Sequence, residues 1–160
     1  AHGGTRTGRV FTGDKSSDFL YKCLFNAKIS NQSTSDHIND GLKLKNAFIT
    51  PALKCVPPED KPLKIELDNC SKFFNNELNI LKNLKVVVAL GKIAFDTCKI
   101  FYSEKFEISK NVQFGHGKIF KLKNGVNLVG CYHPSPRNVN TGRINEKMMT
   151  QLFQKIKRLN

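Results

Sequence analysis

Several scarcities in this sequence narrow what the chain does. No apolar run approaches the ~20 residues that span a bilayer, and the opening "AHGGTRTG" lacks the charged-then-apolar pattern of a secretory leader. A membrane protein is therefore not expected. Acidic side chains are few, 13 against 26 basic ones, which leaves a net charge of +13. A surplus of that size favours a polyanionic partner, nucleic acid before an acidic membrane, although a lysine-rich composition alone also produces it. Arginine is scarce and uneven: Arg6, Arg9, Arg137, Arg143 and Arg158, with none between residues 10 and 136. The planar guanidinium suits bidentate contact with phosphate, so the clustering hints that the two ends of the chain meet an anion together. Neither a P-loop nor a dinucleotide fingerprint occurs, which excludes the common nucleotide-binding domains. Internal repeats and linkers are also absent.

What is present reads as a globular α/β chain. Its 160 residues are one domain's worth of core, and 39% hydrophobic against 24% charged residues is an ordinary globular balance. Five cysteines without a secretory signal indicate reduced thiols and a cytoplasmic location. Residues 1–14 read as a loop. "SSDFLYKCLFNA" (16–27) has helical spacing behind a Ser N-cap candidate. Residues 30–45 read as an irregular loop, and "NAFITPAL" (46–53) as a short β-type run broken by Pro51. The stripe Ile65, Cys70, Phe73, Phe74, Leu78, Leu81 predicts a helix over 63–83. "KVVVAL" (85–90) has the continuous apolar character of a strand buried on both faces. Gly91 opens a helix, "KNG" marks a hairpin within 118–133, and 145–158 is an amphipathic helix. Strands alternating with helices indicate an α/β sheet covered on both faces, with ligands bound beyond the carboxyl ends of the strands. "HPSPRN" (133–138) leaves the last strand at such a place.

Three segments carry a resemblance: "RTGRVFTGD" (6–14), "KCVPPEDKP" (54–62) running to Cys70, and "YHPSPRNVNTGRI" (132–144), with "FGHG" (114–117) before the hairpin. Together they resemble the uracil-DNA glycosylase superfamily, and within it the iron–sulfur branch known as type 5. The resemblance covers nearly the whole chain. It implies a single domain over 1–160 with a three-layer α/β/α architecture, built on a central, mainly parallel four-stranded sheet. It also implies that the first strand and an upstream cysteine pair precede Ala1, so that the chain is a fragment. The implied activity is a monofunctional DNA glycosylase in base-excision repair. The implied partner is double- or single-stranded DNA carrying deaminated bases, met by a monomer with no membrane involved.

The resemblance assigns roles residue by residue. His133 would hydrogen-bond a carbonyl of the flipped base and stabilise its departure as an anion; read alone, it is a capped histidine in a structural turn. Phe11 would stack on the base, or is a buried loop anchor. Asp14 would be the catalytic carboxylate that orients water or supports an oxocarbenium-like sugar, or caps the helix that follows it. Asp60 stands where the family often has asparagine, as a second carboxylate or a solvated loop charge. Ser135, Arg137, Asn138 and Arg143 would lie along the DNA backbone, with the prolines around Ser135 keeping the turn rigid. Pro51 replaces an asparagine that reads the uracil edge in other iron–sulfur members, which implies a broad range including hypoxanthine. Cys55 and Cys70 would be two of the four thiolates of a 4Fe-4S cluster, one that this fragment alone is expected not to hold. Cys23, Cys98 and Cys131 read as core. The rival readings are a uracil-only enzyme and a catalytically inactive basic DNA-binding module of the same fold.

Overall fold

A computed structural model describes residues 2–58, 62–105, 107–109 and 111–159. In chain order the elements are α1 (His2–Thr7), α2 (Lys15–Asn26), α3 (Lys64–Ile80), β1 (Val86–Leu90), α4 (Lys92–Ser103), β2 (Ile119–Lys121), β3 (Asn127–Cys131), α5 (Pro136–Asn140) and α6 (Glu146–Ile156), followed by a 3-10 turn at Lys157–Leu159. Two compact units divide the chain: Ala1–Thr50 with His133–Arg158, and Pro51–Tyr132 with Leu159–Asn160.

The second unit carries the sheet. β1 runs parallel to β3 with Val88 opposite Val129, and β2 runs antiparallel to β3 with Phe120 opposite Leu128. The order is therefore β1-β3-β2, a mixed sheet of three strands among the described residues rather than a mainly parallel one. Its most buried strand is β3, where Leu128, Val129, Gly130 and Cys131 are all buried. β1, the apolar "VVVAL", buries only Ala89 fully. The reason is position: β3 is flanked on both sides, whereas β1 pairs here with β3 alone. The hairpin closes as the "KNG" signal implies, with the Gly125 N–H donating to the Leu122 carbonyl at 2.9 Å. Beneath the sheet, Phe95 is fully buried against Phe114 and Phe120, and Phe101 packs against Phe74 and Tyr102. α3 contributes only Cys70 and Phe74 as buried side chains, while Ile65 and Phe73 of the expected stripe face solvent.

The first unit is helical. α2 packs on α6, burying Leu20, Tyr21, Cys23 and Leu24 together with Met149, Leu152, Phe153 and Ile156. Two expectations fail here. Residues 2–7 form α1 rather than a loop, and Gly3 lets it dock closely: a Cβ built there would lie 2.0 Å from the Thr12 carbonyl oxygen. That close docking is tertiary, and a glycine-rich segment shows no helical pattern in sequence. Residues 46–50 form no strand. Nearby, Ser30 and Leu44 form an isolated antiparallel bridge, and Phe48 is left 60% exposed.

Among the described residues, no helix is long and apolar enough to cross a membrane.

Candidate active site

The loop before α2 is fixed at several points. Asp14 is the N-cap of α2: its Oδ1 accepts the Ser17 N–H at 2.8 Å, and the Ser17 hydroxyl accepts the Asp14 N–H at 3.0 Å. This reciprocal box satisfies two backbone donors that a helix start otherwise leaves open. The cap expected from a serine is thus supplied by Asp14, and the capping role weighed for it is real. Upstream, Thr12 is buried and its hydroxyl lies 2.7 Å from that of Ser35. Arg9 donates from Nη2 to Asp40 Oδ1 at 2.7 Å and from Nη1 to Asp40 Oδ2 at 2.8 Å. It donates further to Ser35 Oγ at 2.9 Å and the Ile38 carbonyl at 3.2 Å. The Arg9 guanidinium holds the Asp40 carboxyl far below the usual carboxylate range. Arg9 is therefore an internal ion pair and not the phosphate ligand that its type suggested. Arg6 donates to the Gly13 carbonyl.

Between these anchors sits Phe11, at φ 52°. A bulky residue in the left-handed region stores on the order of 1–3 kcal/mol and persists only where its surroundings over-determine it. Its ring faces His133, with centroids 5.8 Å apart and planes tilted by 53°. Burial pushes the His133 imidazole below its ordinary pKa, and the nearby Asp14 charge pulls the other way. Phe11, Asp14 and His133, from opposite ends of the sequence, thus come together in one unit.

After His133 the chain turns into α5. Ser135 is its N-cap, its hydroxyl accepting the Asn138 N–H at 3.4 Å, and Pro136 holds the first helical position with its φ preset. Asn138, expected along a DNA backbone, turns its amide inward and donates from Nδ2 to the His133 carbonyl at 2.8 Å. Arg137 and Arg143 are exposed. All five arginines fall in the first unit, so the two ends do meet.

The other assigned residues lie in the second unit. Pro51 is half-buried in irregular chain, and Asp60 lies outside the described residues. Cys70 is buried in α3 and Cys55 is exposed on the preceding loop. Desolvation and the neighbouring Cys70 thiol push the Cys55 thiol up. The Lys54 N–H donates to Cys70 Sγ at 3.4 Å, and Lys54 Nζ bonds Glu77 at 2.7 Å, which ties the Cys55 loop to α3. No group of three or more His, Cys, Asp or Glu side chains gathers as a metal site among the described residues. The donor set thus fits half of a four-thiolate cluster. Cys23, Cys98 and Cys131 are buried, and burial pushes the Cys23 thiol up to about 11 and that of Cys98 up to about 12, as expected of core thiols.

Sequence reasoning missed the Arg9–Asp40 and Thr12–Ser35 contacts, which join residues 23 or more apart with no local signal. It gave no role to His116 of "FGHG", whose Nδ1 accepts the Tyr132 N–H at 3.3 Å while its ring stacks on Tyr132.

The model of the uracil DNA glycosylase superfamily matches residues 1–157. A type-5 uracil-DNA glycosylase of Mycobacterium bovis is 38% identical over 160 residues, covering 99% of this chain and 59% of the relative. The enzymes of that name from Pyrobaculum aerophilum and Thermus thermophilus are also 38% identical, over 97% and 99% of this chain and 66% and 71% of their own lengths. The chain thus spans about three fifths of the Mycobacterium bovis protein.

Proposed function

The chain belongs to the uracil DNA glycosylase superfamily, and from that premise we propose that it serves a monofunctional DNA glycosylase of base-excision repair. The enzyme flips uracil, and also hypoxanthine, out of DNA and hydrolyses the N-glycosidic bond. The observation that carries the reading is the trio in the first unit: the Phe11 ring against the His133 ring, with the Asp14 charge felt at His133.

In this reading Phe11 stacks on the flipped base. His133, held neutral by burial, donates an N–H to a base carbonyl as the glycosidic bond breaks and both bonding electrons leave with the base. Asp14 offsets the positive charge that develops on the sugar and orients the water whose oxygen bonds to the anomeric carbon. The water gives up a proton and the base gains one. The charge-stabilising donor is worth most here because it is fixed before the reaction. Arg137, Arg143 and the Ser135 turn line the DNA backbone, and Asp60 aids the water. Cys55 and Cys70 hold one side of a 4Fe-4S cluster in the whole protein, which pins their loop to α3; iron content of the full-length protein that is unchanged by Cys70→Ser would remove that role. The three strands belong to a four-stranded sheet in a three-layer architecture.

Pro51 favours breadth, because a ring without an N–H or side-chain amide reads no hydrogen-bond pattern on the base. The test is base release from duplexes carrying uracil or hypoxanthine. Release of both is expected. Release of uracil alone would overturn the broad range, and DNA binding without any release would leave the inactive module.

A further inference from the structure

We infer that Arg9 and Asp40 are a positioning pair that holds Phe11 in place over His133. This rests on the reading of Phe11 as the stacking ring and adds residues that touch neither base nor sugar.

Asp40 first organises its own loop. Its Oδ2 accepts the Asp36 N–H at 2.7 Å, and its Oδ1 accepts the Leu42 N–H at 2.9 Å. The stiffened segment then splints the segment before Phe11. The Ile38 N–H donates to the Thr7 carbonyl at 2.9 Å, Ile38 side-chain atoms stand 3.3 Å from a Cβ built on Gly8, and the Arg9 fork closes on Asp40. On the far side of Phe11, the Thr12–Ser35 hydroxyl contact repeats the tie to the same segment. Residues 9 and 12 are thus both fastened to 35–40, and the intervening Phe11 has little freedom to leave the left-handed region. Both terminal nitrogens of Arg9 are engaged, with four acceptors between them, which leaves neither for a phosphate. A carboxylate paired with a guanidinium through two parallel bonds is the geometry that fixes orientation as well as distance.

The decisive experiment is a double-mutant cycle in the full-length protein. Single-turnover uracil release is measured for Asp40→Asn with Phe11 present and again in a Phe11→Ala background, with melting temperatures for each. With Phe11 present, Asp40→Asn slows release about tenfold, inside the range that coupled neighbours show. In the Phe11→Ala background it slows release less than about twofold, while the melting temperature falls equally in both. Equal losses of rate in both backgrounds, or none with Phe11 present, would overturn the assignment. Arg9→Lys, which keeps the charge and loses the fork, replaces Asp40→Asn if that variant does not fold.

A second measurement needs no activity: His133 is titrated by NMR. A loosened Phe11 uncovers the imidazole, which the nearby Asp14 charge also favours in its protonated form, and its pKa rises toward the ordinary value. Mere loss of the Asp40 charge would lower it. An unchanged or lowered His133 pKa overturns the pair's role. A wild-type protein that releases no uracil overturns the glycosylase reading and leaves this titration to decide the clamp.

Discussion

Both units have an apolar core, α2 on α6 in the first and the rings against the sheet in the second, but they differ in what accompanies it. In the first, the buried polar residues Thr12, Ser17, Ser30 and Ser35 all occur, joined to arginine, aspartate and backbone partners. Its one ring contact among the described residues is Phe11 with His133. In the second, the described core is a run of ring contacts: Phe74, Phe95, Phe101, Tyr102, Phe114 and Phe120. Apolar packing is tolerant of small shifts, whereas a buried polar network is satisfied in only one arrangement. The difference teaches that the unit bearing the candidate chemistry adds to its apolar core a buried polar network that fixes geometry.

The largest expected effect should fall on the sheet-bearing unit. Phe95→Ala removes a fully buried ring and is expected to lower unfolding free energy by about 3–5 kcal/mol in denaturant titrations. Base release per folded molecule should stay at the wild-type level; a proportionate loss would erase the contrast. His133→Ala is the mirror case, expected to slow uracil release by about 10²–10³-fold with little change in melting. If the melting temperature collapses and the rate per folded molecule holds, His133 is structural. Asp14 sharpens the comparison because it has two jobs in one unit. Asp14→Asn keeps the cap, so stability stays within about 0.5 kcal/mol while release falls about 10²-fold. Asp14→Ala should cost about 1 kcal/mol more. An Asn variant with full activity would leave only the cap. The smallest effect is on pH. The His133 pKa is lowered in the folded protein, so the unfolded chain takes the proton first. Its contribution to stability is complete above the ordinary imidazole value and is lost as pH falls below it. Release should show an acid limb in the same window and none on the alkaline side from His133. A limb that appears as pH rises through neutrality would mean that the charged imidazole is the active form.

Much of the fold was legible where local pattern and packing agree. The helices at 92–103 and 146–156 and the "KNG" hairpin follow their signals, because a cap, a period and a turn residue point the same way. The rest turned on long-range partners. The docking of α1 depends on Gly3 meeting Thr12, and the central place of β3 depends on what flanks it rather than on its own apolarity. In the site, the motifs located Phe11, Asp14 and His133. They gave Arg9 and Asn138 outward roles, because a side chain's type does not tell which partner reaches it first.

The discontinuity of the first unit has a consequence for synthesis. Its two segments, Ala1–Thr50 and His133–Arg158, are separated by Pro51–Tyr132 of the other unit. At ~5–20 residues per second on the ribosome, α2 waits roughly 6–24 seconds for α6. A nascent chain can have β1 and α4 in place while Phe11 still lacks the His133 ring that it faces.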